Sequence, residues 1–136
     1  MMKKEKHLEM IQNIILRMAS NSFLLKSWSV IIISALFALS AKESNSNLII
    51  VAYLPAISFW FLDAFFLWQE RMYRKLYDAV RERDELTIDY SLDAYSYKKS
   101  VSSWFLTCFS KTLVIFHGTI LTTIIIVTII LKVYCK

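Results

Sequence analysis

The chain alternates between long apolar stretches and shorter charged ones. Three apolar stretches, 23–41, 48–68 and 112–131, are each about 20 residues long. At about 1.5 Å of rise per residue, an α-helix of that length crosses the ~30 Å hydrocarbon core of a bilayer. The pattern therefore predicts an all-α integral membrane protein with three transmembrane helices.

The second apolar stretch gives way to a charged segment at Gln69. Apolar side chains recur in this segment at the i, i+3, i+4, i+7 spacing of one helical face: Tyr73, Leu76, Tyr77 and Val80. The spacing predicts an amphipathic helix in water over 69–86. Because neither Gly nor Pro separates the two halves, the second span is predicted to continue into the cytoplasm as one long helix over 47–86. Pro55, within the span, is predicted to kink it.

Two other segments are amphipathic. The stripe in 3–20 comprises Leu8, Ile11, Ile15 and Met18. It predicts a helix that either lies along the cytoplasmic membrane surface, with its basic residues facing lipid headgroups, or forms the foot of the helix bundle. The stripe in 98–110 comprises Val101, Trp104, Phe105, Cys108 and Phe109, and predicts a helix lying in the membrane interface. Residues 87–97 are predicted to form a connecting loop.

Composition narrows the class of protein. Hydrophobic residues make up 57% of the 136 residues, and there is one Gly and one Pro. This excludes glycine-rich phosphate loops, and the length predicts a single membrane domain over 1–136. The two His, at 7 and 117, and the two Cys, at 108 and 135, have neither catalytic nor metal-ligand spacing. We therefore expect no enzyme activity, no cofactor and no bound metal.

The basic residues are distributed unevenly between the two sides predicted for the membrane. Residues 1–26 and 69–111 carry 13 of the 16 Lys and Arg, whereas the 42–47 turn and the 132–136 tail carry three. Because basic loops stay in the cytoplasm, the N-terminus is predicted to be cytoplasmic and the C-terminus outside. The net charge of +5 is then explained by orientation and by anionic lipid, without direct binding of nucleic acid.

Asp63 is the one charged residue within the second span. It lies about 9 Å inside the predicted cytoplasmic end, and His117 lies at the same depth in the third span. Lys26, in the first span, is predicted to mark the cytoplasmic boundary by extending towards water, although its long side chain would also reach that depth. Asp63 has three interpretations: part of a titratable gate or ion path with His117 or Lys26, an inert polar clasp between helices, or a carboxyl kept protonated by lipid.

The threonines of the third span and the cysteines allow narrower predictions. Thr119, Thr122 and Thr123 are placed to form a polar stripe, but threonines in membrane helices commonly bond to their own backbone, which is the interpretation we prefer. Cys135 is predicted to lie outside, where an oxidising compartment permits an intermolecular disulfide. Cys108 is predicted to stay reduced.

The layout resembles the SLATT-type membrane effectors and accessory proteins of bacterial anti-phage defence systems. The resemblance rests on a first span, LLKSWSVIIISALFAL, a polar turn, KESNSN, and a second span with its basic exit, FWFLDAFFLWQERMYRKLYDAVR. It covers roughly positions 8–86, and the third span departs from the two-span pattern. The resemblance implies an oligomer in the bacterial inner membrane, encoded beside a soluble sensor or nucleic-acid-processing protein, that damages or depolarises the membrane on infection.

Two functions follow as expectations. In the first, the protein is an oligomeric inner-membrane effector that forms or gates an ion-leaking path lined by Asp63 and His117. In the second, it is a non-conducting anchor or adaptor that recruits a soluble partner complex through the water-side helix. Both use the same predicted contact residues for a partner on that helix: Tyr73, Arg74, Leu76 and Tyr77. A transporter subunit has less support, because the chain has no internal repeat.

Overall fold

The computed structural model describes the backbone of residues 2–134 and the side chains of 3–134. Its α-helices are α1 (Met2–Glu43), α2 (Asn47–Val51), α3 (Tyr53–Glu82), α4 (Trp104–Thr107) and α5 (Lys111–Tyr134). Two short 3₁₀ helices, Glu85–Thr87 and Tyr95–Ser100, lie between α3 and α4. No β-strand occurs among these residues, so the all-α prediction is confirmed.

Three helical segments are long and apolar enough to cross a membrane: Lys3–Glu43, Asn47–Glu82 and Lys111–Tyr134. Large apolar side chains point outwards from them, among them Phe23, which is 69% exposed, and Leu54, which is 71% exposed. Helices that are apolar on every side and leave such surface uncovered are typical of proteins surrounded by lipid. The three predicted span candidates are therefore present, and the fold is consistent with a membrane protein.

The first helix differs from prediction, because α1 runs from Met2 to Glu43 without interruption. The predicted division into a surface helix, 3–20, and a first span, 23–41, is wrong. Nothing between them breaks a helix, since the intervening polar residues include neither Gly nor Pro. The amphipathic stripe of 3–20 packs against α3 rather than lying on lipid, so the foot-of-the-bundle interpretation is the correct one.

The contact between α1 and the end of α3 forms a hydrophobic core on the charged side of the molecule. Its buried members from these two helices are Ile11, Ile15, Met72, Leu76 and Val80. Each helix contributes residues spaced four apart, which is a spacing that brings side chains onto one face. This water-side core joins the two helices into a hairpin that extends beyond the apolar stretches.

The second span contains a one-residue turn near Pro55, where a kink was predicted, but the backbone of Ala52 at this turn keeps right-handed helical dihedral angles. Its helix is interrupted at Ala52, between α2 and α3, and Pro55 is the third residue of α3. Proline lacks a backbone N–H and is tolerated in the first turn of a helix, so the helix restarts just before it. From Tyr53 onwards α3 continues through the start of the charged segment without a break, as predicted, but it ends at Glu82 rather than at Leu86.

The early end of α3 is held by a lysine from the first turns of α1. Lys4 Nζ donates hydrogen bonds to the carbonyl oxygens of Arg81, at 3.0 Å, and Arg83, at 2.6 Å. A cation at a helix C-terminus satisfies the last carbonyl groups and interacts favourably with the helix dipole. The chain then turns back, because Ile88 and Ala94 are buried in the water-side core.

The predicted interfacial helix over 98–110 is wrong in extent, since only Trp104–Thr107 is α-helical. The residues of its apolar stripe lie in three different environments. Val101 packs on the water-side core, Cys108 is buried, and Phe105 is 64% exposed. One straight helix cannot reach all three. The Ser103 side chain accepts a hydrogen bond from the Leu106 N–H and begins α4 afresh.

At the opposite end of the molecule, α5 joins the bundle by packing against α2 and α3. A second core lies there, with buried members Ile33, Ile49, Ala52, Ala56 and Ile124. Its members come from α1, α2, α3 and α5, and Ala52 itself occupies the interruption of the second span. Between this core and the water-side core lies the level at which the polar side chains meet.

Candidate functional site

One polar cluster joins the three long helices. Ser22 and Lys26 lie one turn apart on α1, Asp63 lies near the middle of α3, and His117 lies in the second turn of α5. Residues four apart share a helical face, so Ser22 and Lys26 both point at α3. The cluster thus gathers the three residues that the sequence singled out for an intramembrane site.

Asp63 is the centre of the cluster and is completely buried. Its Oδ2 lies 2.6 Å from Lys26 Nζ and 2.8 Å from His117 Nε2. Its Oδ1 accepts a hydrogen bond from the Ser22 hydroxyl. Lys26 Nζ also donates to Ser22 Oγ at 2.8 Å, so the contacts of α1 with the carboxylate form a closed set.

These contacts compensate the free-energy cost of burying the Asp63 carboxylate. An ionised group withdrawn from water is destabilising by several kcal/mol unless a counter-ion and hydrogen bonds replace its hydration. Both oxygens of Asp63 have such partners, and one partner carries a full positive charge. The protonated-by-lipid interpretation therefore does not fit, because Asp63 faces the protein interior. The gate and the clasp remain.

His117 is held between aromatic rings. Its imidazole stacks on the Trp60 indole with centroids 5.8 Å apart and planes 10° from parallel, and Phe116 meets it edge-on. Because Nε2 faces a carboxylate, this nitrogen carries the hydrogen. Nδ1 is also buried, and no hydrogen-bond partner for it occurs in the described part of the chain. The cluster thus includes one polar atom whose bonding capacity is unused.

Lys26 connects the cluster with the surface of the molecule. Its side chain is 24% exposed, whereas those of Asp63 and His117 are 0% and 1% exposed. Its ammonium also lies 5.8 Å from the centroid of the Phe116 ring, within the range of a cation–π contact. The structure thus shows the contact that the long side chain of Lys26 was expected to allow at the depth of Asp63, and its place at a membrane boundary stays a prediction.

Ser22 is the member of the cluster that sequence reasoning missed. A serine inside an amphipathic stretch carries little signal, but its spacing from Lys26 would have found it. The positions 22, 26, 29 and 33 follow one helical face, and Ser29 and Ile33 are both buried beyond Lys26. A polar residue one turn before a span lysine is thus a candidate ligand of the same partner.

The predicted partner-binding residues of the water-side helix are largely occupied within the chain itself. Leu76 is 4% exposed in the water-side core, and Tyr73 and Tyr77 pack against that core. Only Arg74 is exposed, and it pairs with Glu70 across 2.7 Å. Leu76 is therefore internal to this chain, whereas partner binding through Tyr73, Tyr77 and Arg74 stays a prediction.

Several other side chains resolve more simply. The hydroxyl groups of Thr119 and Thr123 donate to backbone carbonyl oxygens four residues earlier in α5, at 2.6 and 2.9 Å, which is the interpretation preferred over a polar stripe.

Burial raises the pKa of the Cys108 thiol, which leaves it protonated and weakly reactive. Cys135 lies outside the described residues. Among the residues described, no group of three or more His, Cys, Asp or Glu is placed to hold a metal ion.

Comparisons with known proteins do not extend this picture. Neither protein-family models nor curated protein sequences nor solved structures give a match to this chain. The chemistry of the site therefore rests on its own geometry.

Proposed function

We propose that this chain is an oligomeric effector of the bacterial inner membrane in which the polar cluster gates an ion-leaking path. The observation that carries the proposal is the buried ion pair of Asp63 and Lys26, extended by His117. Ionisable side chains within membrane spans are costly and are typical of ion pathways, proton relays and gates. A purely structural contact between apolar helices does not need three of them.

The position of the cluster supports a gate in particular. Each of the three long helices contributes at least one of its members, so a change in one contact is felt by every helix. Asp63 has no exposed surface in the single chain, which corresponds to a closed state. Three helices are too few to enclose a channel comfortably, so the path requires several copies of the chain.

A non-conducting anchor or adaptor is the second candidate. The same cluster then serves as an inert clasp, and a soluble partner binds the water-side hairpin. The observation that favours it is the full pairing of both Asp63 oxygens, which a clasp needs and a gate must break. The covered stripe at Leu76 counts against the recruitment face first expected, so the partner would bind exposed residues such as Arg74.

Ion flux from liposomes separates the two functions. We expect purified wild-type protein to release a trapped ion gradient, and Asp63→Asn to increase the leak about tenfold, since weakening a closed state by ~1.4 kcal/mol shifts an equilibrium tenfold. Asp78→Asn, the same chemical change at an exposed position, is the matched control and should leave the leak unchanged. Vesicles that stay sealed with every variant would exclude the leak and leave the anchor.

We also propose that the charged end of the hairpin, where α1 begins and α3 ends, lies in the cytoplasm. Single cysteines at Arg83, at its tip, and at Lys42, at the opposite end, test this in a background of Cys108→Ala and Cys135→Ser. A membrane-impermeant maleimide applied to spheroplasts should label Lys42→Cys and reach Arg83→Cys only after lysis. The reverse pattern would invert the orientation derived from the basic residues.

The role in anti-phage defence is proposed from the resemblance in span layout alone. A SLATT-type effector acts with a soluble sensor, so the genes beside this one are the direct test. Defence genes in that position would support the assignment, and their absence would remove its basis.

A further inference from the structure

A basic groove lies where the connection before α4 passes over α3. It encloses about 330 Å³, and its lining residues are Arg71, Arg74, Lys75, Ser100, Val101 and Ser102. Three cationic side chains and two hydroxyl-bearing residues therefore converge on one concave surface. This groove is separate from the buried cluster at Asp63, and of its lining residues only Arg74 is named above, as an exposed residue available to a soluble partner.

The groove carries positive charge that the chain does not neutralise. Arg74 is paired with Glu70, whose Oε1 accepts from Nε at 2.9 Å and from Nη2 at 2.7 Å. For Arg71 and Lys75, the described residues include no carboxylate within ion-pair distance. Guanidinium, ammonium and hydroxyl groups together are the donors that bind phosphate oxygens. The groove therefore suits an anion of phosphate chemistry.

The groove also begins at the depth of lipid headgroups if the apolar stretch of α3 is embedded as proposed: Arg71 falls within the headgroup layer, and Lys75 lies a few ångström beyond it, within reach of its long side chain. Arg71 and Lys75 follow Trp68 by three and seven residues, which is roughly 5 to 10 Å along the helix axis. The headgroup layer on each side of a bilayer is about 5 to 7 Å thick. Beside the groove, α4 presents apolar side chains outwards: Trp104 is 42% exposed, and Phe105 is 64% exposed.

A separate apolar cavity lies further along α3, on the side of its apolar stretch. The Trp104 indole N–H donates to the Phe61 carbonyl oxygen at 3.2 Å, and the two rings lie 6.0 Å apart. Phe61 in turn lines a cavity of about 200 Å³, whose other lining residues are Ile57, Trp60, Cys108, Phe109 and Leu121. Trp104, two residues after Ser102 of the groove, thus contacts one lining residue of the apolar cavity.

We infer that this surface binds one anionic phospholipid, with its phosphate in the basic groove and an acyl chain along Trp104 and Phe61 towards the cavity. The inference rests on the proposed membrane insertion but not on ion conduction. Free inorganic phosphate shares the headgroup chemistry and would fill the groove, but it makes no use of the apolar half. A zwitterionic lipid fits the apolar half but brings an ammonium group towards Arg71 and Lys75.

Native mass spectrometry of the purified protein in detergent tests the site, with phosphatidylglycerol and phosphatidylcholine titrated separately. We expect one tightly bound phosphatidylglycerol and no retained phosphatidylcholine. The double variant Arg71→Gln/Lys75→Gln should weaken binding about 30-fold, because each basic residue near an anionic headgroup contributes roughly fivefold. The matched control, Arg81→Gln/Arg83→Gln, removes the same charge at the C-terminal end of α3. It should bind phosphatidylglycerol as tightly as the wild-type protein does.

Three outcomes would overturn the inference. In the first, both double variants weaken phosphatidylglycerol binding equally. In the second, the protein retains phosphatidylcholine as well as phosphatidylglycerol. In the third, millimolar inorganic phosphate displaces phosphatidylglycerol, which would assign the groove to a soluble ligand. Ser102→Asp places a negative charge in the groove without removing a cation, so its expected loss of binding guards against misfolding of the first variant. If the liposomes stay sealed but phosphatidylglycerol still binds, the proposed gate is wrong and the lipid site stands. If ions leak but phosphatidylglycerol does not bind, the lipid site is wrong and the gate stands.

Discussion

Lys26→Met is expected to lower the free energy of unfolding by about 3–5 kcal/mol, because it leaves the Asp63 carboxylate buried without its counter-ion. The remaining donors, Ser22 and His117, satisfy both oxygens geometrically but need not carry a full charge. Denaturant titration in detergent micelles, followed by circular dichroism, measures the change. Lys75→Met, the same substitution at an exposed position, should stay within about 0.5 kcal/mol of wild type.

The second partner of the pair makes this result specific to the ion pair. Replacing both charges, as in Lys26→Met/Asp63→Leu, removes the buried ion pair without leaving a lone charge. Such replacements are often close to neutral, so the double variant should recover most of the stability lost by Lys26→Met alone. A Lys26→Met variant as stable as wild type, or a double variant whose loss is the sum of two large ones, would contradict this account of the cluster.

Leu76→Ala is expected to cost about 2–5 kcal/mol of unfolding free energy, the usual range for truncating a buried leucine. Leu76 is 4% exposed between α1 and α3 in the water-side core. Leu86→Ala is the matched control, since that leucine is 93% exposed and should tolerate truncation with little change. The same denaturant titration compares the two variants.

This second experiment also decides between the two roles considered for the water-side helix. If the stripe at Leu76 were a free docking face, Leu76→Ala would abolish partner binding and leave the isolated chain as stable as before. If the stripe is internal core, the isolated chain loses stability whether a partner is present or not. Arg74→Ala changes an exposed residue on the same helix and should leave stability within about 0.5 kcal/mol of wild type.

The fold was predictable from sequence to the extent that one helix could be considered at a time. The apolar stretch 112–131 predicted a helix that the structure extends to Lys111–Tyr134, because uninterrupted apolar residues have no competing partner in water. The continuity of α1 was not predicted. Its amphipathic stripe suits lipid and protein equally, and only the matching stripe on α3 selects protein. The helix predicted over 98–110 was too long for a related reason, since its apolar residues face different surroundings and only Trp104–Thr107 is α-helical.

The site was predictable where depth in the bilayer was sufficient to place a residue. Counting from the span ends placed Asp63 and His117 at one level, and the structure puts Nε2 of the histidine 2.8 Å from the carboxylate. Counting did not show which helix faces would meet. Ser22 was therefore overlooked, and Lys26 was assigned to the membrane boundary although its ammonium lies 2.6 Å from Asp63.

In the proposed gate, α3 would swing as a rigid rod about the turn at Ala52. Measured from that pivot along α3, Asp63 lies about 16 Å away and Glu82 about 45 Å away. If Glu82 moved sideways by about 3 Å, Asp63 would therefore move by about 1 Å. α5 takes no part in the water-side core, but at this level it packs on α3 through Leu113 and through His117 on Trp60. Only the part of the movement that these contacts do not pass on to α5 would separate Asp63 from His117. A separation of about 1 Å would lengthen the 2.8 Å contact between Asp63 and His117 beyond hydrogen-bonding range, which is the distance that the proposed gate requires.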